Sequence, residues 1–61
     1  MSNLKKYRKL RHLTMKELAD QVGVQEATIC RYETGVRQMS VDMARRIAVV
    51  LKVKCWWKLY D

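Results

Sequence analysis

A chain of 61 residues holds one small domain, 1–61, and leaves no room for an elaborate catalytic cleft. Hydrophobic residues make up 49% of it, too many for a disordered tail, and the absence of proline together with only two glycines indicates helices joined by short turns. The net charge of +7 favours a polyanion as partner, nucleic acid first. We therefore expect an all-α domain.

Membrane, metal and enzyme functions find little support in the sequence. No apolar run approaches the roughly 20 residues that cross a bilayer, and no signal peptide is visible, so a cytoplasmic protein is expected. Cys30 and Cys55 are too few for a disulfide framework, and only His12 is available to join them around a zinc ion. The sequence lacks paired carboxylates, a nucleophile with an evident base, and a phosphate-binding glycine loop. We expect no enzyme, no cofactor and no metal.

The first half of the chain predicts two helices. Apolar residues spaced three apart between positions 4 and 10 indicate one helical face, and this helix is expected to run from Asn3 to about His12. Thr14 and Glu17 have the spacing of a capping box, in which each residue accepts a hydrogen bond from the backbone N–H of the other. The second helix is therefore expected to start at Thr14 and to end before Gly23, which can take a left-handed conformation.

The second half predicts two more helices and a short fifth. The third helix is expected from Gln25 to Glu33, and Gly35 ends it as Gly23 ends the second. Ser40 is a good N-cap for a fourth helix that extends to about Lys52. The tail from 54 to 61 carries enough apolar surface for a short docked fifth helix.

The second and third helices form a candidate helix-turn-helix over about residues 14–33. The tight junction at Gly23 forces the two helices to cross steeply, which leaves the third helix, 25–33, exposed along one side and able to enter a DNA major groove. Five of its side chains are candidate base contacts: Gln25, Glu26, Ala27, Cys30 and Arg31.

The chemistry of these candidates differs. Arg31 can donate two hydrogen bonds to guanine, and Ala27 can contact a thymine methyl group. Glu26 can accept from a cytosine amine, but a carboxylate near phosphates costs affinity, so it can act by rejecting wrong sequences. Gln25 suits adenine or a phosphate.

The sequence Leu-Thr-Met-Lys-Glu-Leu-Ala-Asp-Gln-Val-Gly-Val, followed by Ala-Thr-Ile-Cys-Arg-Tyr-Glu-Thr-Gly, resembles the lambda repressor and Cro family of helix-turn-helix proteins. The resemblance covers about residues 4–53. It implies a compact five-helix fold and a transcriptional regulator that binds double-stranded DNA, usually a repressor on pseudo-palindromic operators, in the nucleoid of a bacterium or phage-infected cell. It also implies a buried ion pair between Arg8 and Glu33.

The chain departs from the family pattern at two positions. Met15 stands where the family commonly has a glutamine that contacts a phosphate, and Met39 stands where a proline often precedes the fourth helix. The resemblance supports a phosphate contact by Thr14, although a threonine at this position is more often only a structural cap. The remaining candidate phosphate contacts are Lys16, Thr28 and Arg37, with Lys6 or Lys9 as further possibilities.

The tail offers an association surface. Trp56 and Trp57 are neighbours, so both rings cannot enter the same small core, and one of them is expected to be exposed. With Val49 and Tyr60 they form a candidate homodimer interface, although both rings covering the core from different sides is an equal alternative. A different function is also open, because an antitoxin-like or other protein-interaction module can use this tail to contact a protein partner.

Overall fold

The computed structural model describes residues 3–60, which fold into four α-helices followed by one turn of 3-10 helix. The helices are α1 (Asn3–Leu10), α2 (Met15–Val22), α3 (Glu26–Thr34) and α4 (Val41–Leu51), and the 3-10 turn is Trp56–Leu59. This part of the chain contains no strand, so the all-α class is confirmed. No helix within it is long and apolar enough to span a bilayer.

The short fifth helix predicted in the tail is a single 3-10 turn rather than an α-helix. The chain leaves α4 through a left-handed conformation at Lys52 (φ 57°) and stays non-helical as far as Cys55, whose side chain makes no capping hydrogen bond. Only four residues remain for the 3-10 turn, and this geometry rarely extends further. The turn docks through Leu59, which is fully buried. Asp61, the last residue of this tail, lies outside the described residues.

The first helix also ends earlier than predicted. α1 stops at Leu10, and His12 turns the chain with a left-handed φ of 56°. The backbone N–H of Leu13 then donates to the carbonyl of Arg8 at 3.3 Å, which closes the helix end.

The capping box at the start of α2 is present as predicted. The backbone N–H of Glu17 donates to Oγ1 of Thr14 at 3.0 Å, and the N–H of Thr14 donates to the Glu17 carboxylate at 2.8 Å. This backbone hydrogen bond, with a smaller contribution from the Thr14 side chain, lowers the pKa of Glu17 below its ordinary value of 4.5. The cap thus fixes where the helix-turn-helix begins.

Glycines end α2 and α3 as the sequence predicts. Gly23 has a φ of 84° and Gly35 a φ of 81°, values that a side chain with a Cβ adopts only at a cost. The N–H of Gly23 donates to the carbonyl of Ala19 at 2.8 Å. The turn between α2 and α3 is therefore only three residues long, 23–25.

The core lies between the four helices and the 3-10 turn. Its fully buried large side chains come from every element: Leu4, Leu18, Ile29, Ile47, Leu51 and Leu59. Ser40 caps α4 by accepting from the N–H of Met43 at 3.1 Å. The guanidinium of Arg11 donates to the carbonyl of Leu51 at 2.7 Å and thereby ties the end of α1 to the end of α4.

Candidate nucleic-acid interface

Helix α3 is buried along one side and exposed along the other. Ile29 and Tyr32 face the core. Glu26, Ala27 and Arg31 are exposed, and all three are candidate base contacts. The short turn after α2 positions this exposed side, because it allows α3 to pack across α2 rather than alongside it. Gln25 is exposed as the N-cap residue, although its side chain makes no capping hydrogen bond.

Cys30 and Thr28 are less exposed to solvent than the other candidate DNA contacts. Both are half-buried. Cys30 lines a cavity of about 490 Å³ between α1, α2 and α3, with Lys5, Met15 and Thr34 among its neighbours. Its thiol thus lies where the exposed side of α3 meets the other helices, rather than at the centre of that side.

Three of the four candidate phosphate contacts are open to solvent. Thr14, Lys16 and Arg37 are all exposed. The backbone N–H of Arg37 donates to the carbonyl of Arg31 at 3.2 Å, so the loop after α3 folds back on the end of this helix. This hydrogen bond holds Arg37 beside the face that carries Arg31.

Arg8 and Glu33 form a buried ion pair that joins α1 to α3. Each is only 8% exposed. Nε of Arg8 lies 2.6 Å from one carboxylate oxygen of Glu33, and Nη2 lies 3.2 Å from the other, an arrangement in which both oxygens accept from one guanidinium. Nη1 donates to the carbonyl of Leu13 at 2.7 Å. The pair therefore neutralises a carboxylate at the end of α3 and fixes α1 against this helix.

The positive charge of the molecule lies mostly outside the helix-turn-helix. Residues 14–34 carry two basic and four acidic side chains, a net charge of −2 in a protein of net charge +7. Glu33 is neutralised by Arg8, and Glu17 is engaged in the cap of α2. The attraction for a polyanion must therefore come from α1, from the loop after α3, and from the rest of the chain.

A family model described as helix-turn-helix matches residues 4–55. The chain belongs to this family. The helix-turn-helix proteins of this lambda repressor and Cro type are DNA-binding transcription regulators and not enzymes. No curated protein and no solved structure matches the sequence.

Two methionines replace residues common in this helix-turn-helix family. Met15 is half-buried, packs against the core and lines the cavity beside Cys30. Met39, predicted to lie in the loop before α4, is 7% exposed, and its carbonyl accepts from the hydroxyl of Tyr60 at 2.8 Å. Met39 therefore belongs to the core and joins the loop to the tail.

The tail of this helix-turn-helix domain is a row of aromatic rings. Trp56 meets Trp57 edge to face at 5.6 Å and Tyr60 at 6.2 Å, measured between ring centroids. Trp57 is 58% exposed and Val49 is 78% exposed, whereas Trp56 and Tyr60 are half-buried. The guanidinium of Arg45 lies over the ring of Trp56 at 5.7 Å. Arg45 and Val49 are four residues apart on α4, so their positions are neighbours on the helix surface.

Sequence reasoning missed two features of this interface. The helical pattern gave no sign that Cys30 faces a cavity lined by Lys5, because that placement depends on how α1 crosses α3. The net charge of the whole chain also concealed the acidic balance of residues 14–34, which counting charges over that segment alone reveals.

Proposed function

We propose that this protein is a transcriptional repressor that binds a pseudo-palindromic DNA operator as a homodimer. The observation that carries the proposal is the exposed side of α3, which presents Glu26, Ala27 and Arg31 beside the tight turn that follows Gly23. A helix displayed in this way fits the major groove of B-DNA.

Arg31 is the main specificity residue in this proposal. It is exposed, forms no ion pair within residues 3–60, and can place two donors on guanine O6 and N7. Ala27 offers its methyl group to thymine, and Glu26 disfavours sequences that bring no amine to its carboxylate. Gln25 lies at the N-terminal end of α3, and Cys30 lies at the edge of its exposed side.

Phosphate contacts supply affinity without sequence preference. Lys16 and Arg37 provide the charge at either side of α3, and Thr14 and Thr28 provide hydroxyl groups. Capping does not prevent Thr14 from contacting a phosphate, because a hydroxyl carries a donor besides its acceptor lone pairs. Because residues 14–34 carry a net charge of −2, the affinity for DNA depends strongly on these few cations.

The dimer is proposed to form through the surface made by Val49, Trp56, Trp57 and Tyr60. Trp57 and Val49 are large hydrophobic residues that remain exposed, and exposed apolar patches often mark association surfaces. Two copies would contact two half-sites, and this is needed because a single short helix contacts too few base pairs to be selective.

Selection from a random pool of duplex DNA at physiological salt tests this function. We expect enrichment of an inverted repeat with half-sites about one helical turn, roughly 10 base pairs, apart. A single enriched half-site would disprove the dimer while keeping specific DNA binding. No enrichment at all would contradict the proposed function.

Two alanine variants then distinguish base contacts from phosphate contacts. Arg31→Ala should relax selectivity at one base pair in each half-site by about 1 to 3 kcal/mol. Lys16→Ala should weaken binding to all sequences alike and reduce the slope of log K against log salt by about 1. Arg46→Ala, which removes an exposed cation on α4, is the matched control. Equal losses on specific and random DNA for Arg31→Ala would contradict its role.

A protein-interaction module is the second candidate, and the exposure of Trp57 favours it. An antitoxin-like domain would use the same aromatic tail to contact another protein. Trp57→Ala distinguishes the two functions. Loss of dimerisation and of operator binding supports the repressor, whereas unchanged operator binding with loss of a protein partner supports the module.

A further inference from the structure

A groove outside the helix-turn-helix runs between the end of α1 and the segment that follows α4. Its volume is about 520 Å³, within the usual size range of binding sites. Four of its lining residues are basic, and we call them its walls: Arg11, Lys52, Lys54 and Lys58. None of these residues belongs to the candidate DNA interface.

The cations of this groove are not balanced by neighbouring acids. Among residues 3–60, no carboxylate lines the groove. Within residues 3–60 the ion pairs are Arg8 with Glu33 and Arg46 with Asp42, so the three groove lysines lack an acidic partner there. One donor of the Arg11 guanidinium is already used, since its Nε donates to the carbonyl of Leu51 at the end of α4. The lysines are therefore the cations available to a ligand.

The groove also has an apolar part, which we call its floor. It consists of the lining residues Tyr7, Leu10, Val53 and Cys55, and Leu10 is 61% exposed. The groove can thus hold apolar side chains in its floor and negative charges along its walls.

This combination selects among occupants. A nucleic-acid backbone offers phosphates but no aliphatic groups for the floor. A small molecule would remain too exposed, because Leu10, Lys54 and Lys58 of the lining are themselves open to solvent and ligand sites usually cover most of their ligand. A peptide segment with both carboxylates and large aliphatic side chains satisfies the walls and the floor together.

We propose that this groove is a docking site for an acidic, aliphatic-rich segment of another protein. Lys54 and Lys58 pair with its carboxylates, while Leu10 and Val53 contact its aliphatic side chains. Since the groove shares no residue with the candidate DNA contacts, such a segment can bind while the exposed side of α3 is occupied. This site is independent of the proposed operator binding.

The first test is binding of a short fluorescent peptide of alternating Glu and Leu to the intact protein, followed by fluorescence anisotropy. We expect saturable binding, and binding of an all-Glu peptide of equal length about fivefold weaker or more. Equal binding of the two peptides would overturn the proposal, because it would show that charge alone is recognised. Equal competition by a single-stranded oligonucleotide would overturn it in favour of nucleic acid.

Charge-reversed variants provide the matched control. Lys58→Glu should weaken binding of the Glu/Leu peptide by about fivefold or more, since an attraction becomes a repulsion at the wall. Arg46→Glu makes the same change in net charge on α4, outside the groove, and should weaken binding far less. Equal losses for the two variants would overturn the proposal. Helical circular dichroism of both variants establishes that they fold.

A variant of the floor separates the two halves of the site. Leu10→Ser should weaken binding of the Glu/Leu peptide and leave the weak binding of the all-Glu peptide unchanged, because Leu10 is exposed and its loss removes no buried core contact. An unchanged affinity for the Glu/Leu peptide would overturn the role of the floor.

Discussion

Removal of Arg8 should nearly abolish the stability of the domain. The side chain makes three hydrogen bonds, two to the Glu33 carboxylate and one to the Leu13 carbonyl, and it is 8% exposed. Arg8→Ala leaves the Glu33 carboxylate buried without a partner, a change that costs about 3 to 5 kcal/mol. A domain of this size has a total unfolding free energy of roughly 3 to 9 kcal/mol, so much or all of it would be lost.

Urea and thermal unfolding followed by circular dichroism measure this loss. At about 4 to 8 °C per kcal/mol for a small domain, the melting midpoint should fall by roughly 12 to 40 °C. The control is Arg46→Ala, which breaks the exposed pair with Asp42 at 3.5 Å, where the two side chains are 61% and 81% exposed. That variant should lose only about 0.5 kcal/mol.

A double variant tests the cause. Arg8→Met with Glu33→Leu removes both charges from the interior, and it should be clearly more stable than Arg8→Ala because no orphaned charge remains. A loss below about 1 kcal/mol for Arg8→Ala would refute the reasoning, since an orphaned buried carboxylate is costly. A double variant as unstable as the sum of the two single changes would refute it as well.

Two further changes test the helix caps. Glu17→Gln keeps a side chain that can close the capping box but removes the carboxylate whose pKa is lowered. In the wild type the ionised carboxylate stabilises the fold at pH values above its unfolded pKa, and this contribution disappears as the pH falls through the folded pKa. The unfolding free energies of wild type and variant should therefore converge below about pH 4.5 in urea titrations. A difference that persists or grows in acid would contradict this. Ser40→Ala should cost about 1 kcal/mol by leaving the N–H of Met43 without its acceptor, whereas Ser40→Asp should retain most of the stability.

Local signals in the sequence predicted much of the helical framework. The capping box at Thr14 and the glycines at 23 and 35 locate the ends of α2 and α3, because their hydrogen bonds and backbone conformations involve residues close together in the chain. The Arg8 and Glu33 pair, by contrast, joins positions 25 residues apart and was expected only through the family resemblance. The candidate base contacts remain predictions, although three of them are exposed on one side of α3.

The structure of the tail and the position of the groove could not be predicted from short sequence patterns. Trp56–Leu59 is too short to show a helical period, so its apolar content indicated a short docked helix without indicating that the helix is of the 3-10 type. The groove is built from Arg11 and from lysines about forty residues later, and the hydrogen bond of Arg11 to Leu51 brings these segments together. Such a juxtaposition depends on the packing of α1 against the end of α4, which neither segment encodes alone.

His12 and Lys52 bear on how far this domain could be strengthened. Both turn the chain with positive φ values of 56° and 57°, a conformation that costs a residue with a Cβ about 1 to 2 kcal/mol. Both are exposed, and neither is assigned to DNA. Glycine at either position would relieve that strain, but at Lys52 it would also remove one of the basic residues of the groove. Replacement of His12 therefore offers the route to a more heat-resistant domain for engineering new DNA specificities on α3.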